Sequence, residues 1–103
     1  MKTIACDLDG VIHKFSKGWQ DGSLYDDVVE DSVKEINRLQ EKGYKIIIFT
    51  VRTNFDEIIH WLGLHGIYNV EVTNIKPKEA FVFIDDRAIR FENNWSSIAK
   101  LFP

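Results

Sequence analysis

Cysteine is nearly absent from this chain: Cys6 is the single one. One thiol cannot close an internal disulfide, and no CxxC spacing suggests a metal knuckle, so a reducing compartment is expected, with the cytoplasm as the default. Long apolar runs are missing too. The longest, 46–51 and 80–84, are strand-sized and fall far short of the ~20 residues a membrane span needs. Met1-Lys2-Thr3 leads straight into a strand pattern rather than into the apolar core of a signal peptide. Nor is there an excess of basic charge. Thirteen Lys and Arg stand against 16 Asp and Glu, for a net charge of −3, which argues against a protein whose main task is to coat nucleic acid.

What remains is an ordinary folded composition, with 45% hydrophobic and 28% charged residues in 103. That length supports one domain, 1–103, with no room for a separate substrate-binding unit. Thr3-Ile4-Ala5-Cys6 reads as a short buried strand stopped by Asp9-Gly10. Residues 11–27 show no clean period and mix glycine and serine with Phe15, Trp19 and Tyr25, the pattern of a projecting loop or hairpin. A capping box of Asp27 and Glu30 is expected to open a helix carrying Val29, Val33, Ile36 and Leu39, closed by Lys42-Gly43.

The isoleucine-rich stretch 44–50 predicts a central parallel strand. Thr53 or Asn54 is placed to cap a second helix with Ile58, Ile59, Leu62 and Trp61 on its apolar side, stopped by Gly66. A short strand near 70–73, a buried strand at 81–84, and a last helix at 95–101 packing on the sheet complete the order. Trp61 and Trp95 are expected to cover the edges of the core. Strands alternating with helices predict an α/β fold, a three-layer sandwich around a mostly parallel, Rossmann-like sheet.

In such a sheet, ligands bind beyond the carboxyl ends of the strands. The first strand ends in Asp7-Leu8-Asp9, the second in Thr50 and the last in Asp85-Asp86, with Lys76 shortly before. Asp7 and Asp9 lie two apart, so on an extended backbone both carboxylates project to one side. With Asp85 and Asp86 they gather up to four negative charges, which calls for added protons or a hard divalent cation. Magnesium fits best, because it takes oxygen ligands and commonly uses one or two carboxylates with a substrate phosphate.

These elements resemble the haloacid dehalogenase superfamily of phosphatases: an apolar strand followed by DxDG, an apolar strand ending in Thr or Ser, a Lys, and an apolar strand ending in an acidic pair. Here they read Ile4-Ala5-Cys6-Asp7-Leu8-Asp9-Gly10, then Ile46-Ile47-Ile48-Phe49-Thr50, then Lys76-Pro77, then Phe83-Ile84-Asp85-Asp86. The resemblance implies a magnesium-dependent phosphohydrolase of the small type without a cap domain, cleaving a phosphate monoester. By the same resemblance Asp7 is the nucleophile that forms an aspartyl phosphate and Asp9 the general acid and base. It also implies that Thr50 and Lys76 hold the phosphoryl group, and that the ion is bound by Asp7, the Asp9 carbonyl and one of Asp85 or Asp86. Lys78 competes with Lys76 for its role.

The substrates this admits are a nucleotide, a sugar phosphate, a phosphoprotein or the phosphorylated end of a nucleic acid, selected by the 11–27 loop. In that loop Trp19, with Lys14 and Lys17 nearby, either stacks on a base or sugar and contacts a phosphate or packs the loop down. Arg52 follows Thr50 and either meets a second anionic group on the substrate or pairs with the acidic cluster. Arg87 and Arg90 read as structural pairing partners. Two alternatives are a non-catalytic metal- or phosphate-binding domain of the receiver kind and a phosphatase module dependent on a partner. A receiver carries its phosphoacceptor Asp on a middle strand, where this chain has Thr50.

Overall fold

The computed structural model describes residues 2–103. Its elements are β1 (Thr3–Cys6), α1 (Ser32–Glu41), β2 (Lys45–Phe49), α2 (Phe55–Leu64), β3 (Glu71–Thr73), β4 (Ala80–Ile84) and α3 (Trp95–Ala99), the order expected from the sequence. The four strands form one sheet in the order β3-β2-β1-β4, every pair parallel. This is an α/β fold with a Rossmann-like sheet. No helix among the described residues is long and apolar enough to cross a membrane.

Alternation along the strands divides the sheet into two unlike faces. Ile4, Cys6, Ile46 and Ile48 join Ile36 of α1 and Ile58, Trp61 and Leu62 of α2 in a single core cluster. Both helices therefore cover the same face. They end alike: Gly43 and Tyr44 return hydrogen bonds to the carbonyls of Gln40 and Leu39, and Gly66 and Ile67 to those of Gly63 and Leu62. This paired closure needs a left-handed residue just past the helix, and Gly43 at φ 93° supplies it without steric cost.

Since β3 and β4 are opposite edges of the sheet, the six residues 74–79 must carry the chain past β2 and β1. Three strand spacings are about 14 Å, and six extended residues span roughly 20 Å. The link is consequently a strap with no length for a helix. It runs on the face of Phe83, whose ring lies 5.0 Å beneath the Lys76 ammonium, and its Pro77 is buried.

Four expectations are corrected. The helix α1 starts at Ser32, with Asp31 in a left-handed conformation before it and no side-chain cap. The proposed cap residue Asp27 instead sits beside Val28, which bridges to His13 and ties the 11–27 loop to the domain. Ile59 points to solvent, because only Ile58, Trp61 and Leu62 fall on the stripe that meets the core. The strand β4, read as buried, is exposed along four of its five residues, because it is an edge strand and α1 and α2 pack on β2 and β3 instead. Finally, α3 forms but packs on no other helix or strand among the described residues, and Trp95 is 72% exposed.

Candidate active site

The carboxyl ends of β1, β2 and β4 meet at one rim, as the register requires: Cys6 is level with Ile48 on one side and Ile84 on the other. The chain leaves these three strands with Asp7, Thr50 and Asp85-Asp86, and those residues line a common crevice with Asp9, Phe15, Trp19, Phe49, Val51 and Arg87. The spacing of the motifs thus does bring distant residues together.

One carboxylate oxygen from each of Asp7, Asp85 and Asp86 lies within 4.8 Å of the others. Asp7 receives one hydrogen bond, 2.8 Å from the Leu8 N–H to Oδ1. Partial burial, then repulsion from Asp85, Asp86 and Asp9, outweighs that bond and pushes its carboxyl up to about 6. Asp86 packs against Gly10, where a Cβ would overlap its carboxylate. Gly10 also has φ 86°, so the glycine that closes DxDG is required by conformation, while the close approach involves only the exposed side chain of Asp86. The three acids form an all-oxygen donor set open to the crevice, which suits a hard divalent cation such as magnesium.

Asp9 does not join them. The strand ends at Cys6, so the alternation that would have aimed Asp7 and Asp9 to one side no longer holds at Asp9. Its carboxylate takes a two-pronged contact from buried Arg52, Nε to Oδ2 at 2.9 Å and Nη2 to Oδ1 at 3.2 Å. It also meets His13 Nδ1 at 2.9 Å. His13 is fully buried, and its Nε2 accepts a hydrogen bond from the Asp26 N–H at 3.0 Å. A backbone donor at Nε2 requires a lone pair there, which leaves Nδ1 carrying the proton that is given to Asp9. His13 is therefore a positioning residue that holds Asp9 against the loop, a role the sequence reading left out.

Arg52 is fixed on all sides. Its Nη1 donates to the Gly22 carbonyl at 2.6 Å, and its guanidinium lies 5.0 Å from the Trp19 ring centre and 5.8 Å from that of Phe15. Of the two roles open to it in the sequence, the structure shows the ion pair. Trp19, 63% exposed, covers the guanidinium and walls both the acidic crevice and a neighbouring pocket of about 560 Å³ that holds Asp21, Asn54 and Glu57. Thr50 is buried at the rim, its Oγ1 accepting from the Arg52 N–H at 3.3 Å.

Four other basic residues fall differently from the expectation. Lys14 is exposed on the loop and lines neither the crevice nor the neighbouring pocket. Lys76 and Lys78 lie along the strap beside Glu71 and Glu79, outside the crevice, with the Lys76 ammonium over Phe83. The ring of Phe83 also meets Phe49 edge-on at 6.2 Å. Arg87, assigned to structural pairing, lines the crevice instead. Its position directly after an acidic pair at a strand end was the available signal.

No family model and no curated protein matches this chain. A solved structure of a conserved protein from Bacteroides thetaiotaomicron is similar, with a TM-score of 0.63 at 24% identity, covering 96% of this chain and 87% of that one. At that identity the likeness speaks to the fold.

Proposed function

We propose that this protein is a cation-dependent phosphomonoesterase of the haloacid dehalogenase kind, with Asp7 as nucleophile. The observation that carries the reading is the meeting of Asp7, Asp85 and Asp86 at one rim, each offering an oxygen within 4.8 Å of the others, beside the buried hydroxyl residue Thr50.

A magnesium ion held by these carboxylates would neutralise charge on the transferring phosphoryl group. Asp7 is the suitable nucleophile because Leu8 occupies only Oδ1, leaving Oδ2 to attack. An Asp7 oxygen–phosphorus bond forms as the bond from phosphorus to the alcohol oxygen breaks, giving an aspartyl phosphate that water then hydrolyses. Three of the four lone-pair sites of Asp9 are taken by Arg52 and His13. The open site on Oδ2 is where Asp9 would pass a proton to the departing alcohol and later take one from water. Thr50 Oγ1 stands at the same rim as a donor to a phosphoryl oxygen. With Lys76 outside the crevice, Arg87 is the better-placed cation for the phosphate.

The neighbouring pocket bears on substrate class. Its lining contains Asp21 and Glu57, and its Arg52 is already paired to Asp9. A second anionic group on the substrate finds no free cation there. An alcohol portion rich in hydroxyl donors fits it better, with Trp19 as the wall against which it rests.

The test is phosphate release from a generic aryl phosphate and from a panel of nucleotides, sugar phosphates and end-phosphorylated oligonucleotides, with and without magnesium. Turnover that needs magnesium and is lost in Asp7→Asn is expected. A stable phosphoprotein without turnover would favour the receiver-like alternative.

A further inference from the structure

Away from the crevice, the molecule carries apolar surface left uncovered among the described residues. The strand β4 hydrogen-bonds to β1 alone, and the helices pack on β2 and β3. On the helix side Val82 and Ile84, level with Ile4 and Cys6, are exposed, and on the strap side Phe83 is too. A parallel strand ordinarily has both faces covered. The chain after it repeats the anomaly: Ile89, Phe91, Trp95, Leu101 and Phe102 are all at least 48% exposed. The radius of gyration is 14.8 Å, against about 13 Å for a compact domain of this length.

Together the bare surfaces are large enough to form an interface. Aromatic side chains offer ~150–250 Å² each, so the exposed apolar groups from Phe81 to Phe102 leave on the order of 1,000 Å² per chain. A stable dimer buries about 800 Å² on each partner.

We propose that two copies of this chain exchange their C-terminal arms, residues 88–103 of each covering β4 of the other. One two-fold exchange satisfies both surfaces of both chains with a single set of contacts. The helix α3, which packs on no other helix or strand among the described residues, gains a surface. The inference does not depend on the phosphatase reading.

Sedimentation or light scattering of the full chain at about 100 µM tests it. The expected mass is roughly 24 kDa, twice the 12.0 kDa chain. Arm variant Trp95→Lys with Phe102→Lys and face variant Phe81→Lys alter side chains that are 72%, 65% and 55% exposed. Each alone is expected to sediment as a monomer with an unchanged circular dichroism spectrum, and a mixture of the two should form a heterodimer through its one intact arm and face. A monomer for the unaltered chain, a dimer indifferent to the arm variant, or a mixture without heterodimer would overturn the proposal. Hydrogen exchange on the unaltered chain gives an answer free of mutations. Protection at 80–84 and 95–102 should rise together with concentration, and protection independent of concentration speaks against exchange.

Discussion

Asp7 and Asp9 stand two residues apart at the tip of one strand, yet the structure gives them opposite surroundings. Asp9 is held by three hydrogen bonds from Arg52 and His13, in a pair whose arginine is buried. Asp7 has one backbone donor and faces two further carboxylates. The first arrangement stabilises the fold and aims a side chain. The second costs stability unless a cation or proton enters, and that cost marks the place where chemistry is expected. Two aspartates of one short motif thus divide into one held in place by its partners, the proposed acid and base, and one left open to react, the proposed nucleophile.

Substitutions should break this contrast in opposite directions. The largest effect is expected on turnover, where Asp7→Asn should lower phosphate release by at least ~1,000-fold, since an activated carboxylate is replaced by an amide that cannot form the covalent intermediate. Next is stability at Asp9. Asp9→Ala strands the buried Arg52 charge, and denaturant unfolding should show a loss of about 3–5 kcal/mol, with Arg52→Met less harmful because the Asp9 carboxylate it leaves is partly exposed and still bonded to His13.

Asp7→Asn should do the reverse. Without divalent cation near pH 8, its thermal midpoint should exceed that of the unaltered protein, and magnesium should raise the midpoint of the unaltered protein more than that of the variant. The pH dependence has a definite sign. The Asp7 carboxyl lies higher in the folded chain, at about 6 against 3.8, so its contribution is fully present below about 3.8 and is lost as pH rises through about 6. Without divalent cation, Asp7→Asn should therefore flatten the fall in stability between pH 5 and pH 7. The smallest effect separates two cations: Lys76→Ala should change turnover less than Arg87→Ala, because only Arg87 lines the crevice.

Much of this was legible in the sequence for a physical reason. Short apolar runs ended by polar residues mark strand ends, and in a parallel sheet strand ends converge, so Asp7, Thr50 and the 85–86 pair could be placed together before any coordinates. What failed lay beyond local pattern. Strand alternation was extended past Cys6, where the backbone turns, and that put Asp9 in the wrong company. The reach of Arg52 across 43 residues to Asp9 has no local signature. Lys76 matched a motif, but the brevity of the strap carries it over Phe83. The strand β4 looked buried because its residues are apolar, and composition does not report whether an element lies at the edge of its sheet.

The most direct test of the central claim is an acid quench of the protein during turnover of a radiolabelled aryl phosphate in magnesium, with the label followed on the denatured chain. Label bound to the unaltered protein, and absent from Asp7→Asn and from samples lacking magnesium, is the expected result. Phosphate release with no labelled chain, or label that persists in Asp7→Asn, would contradict it.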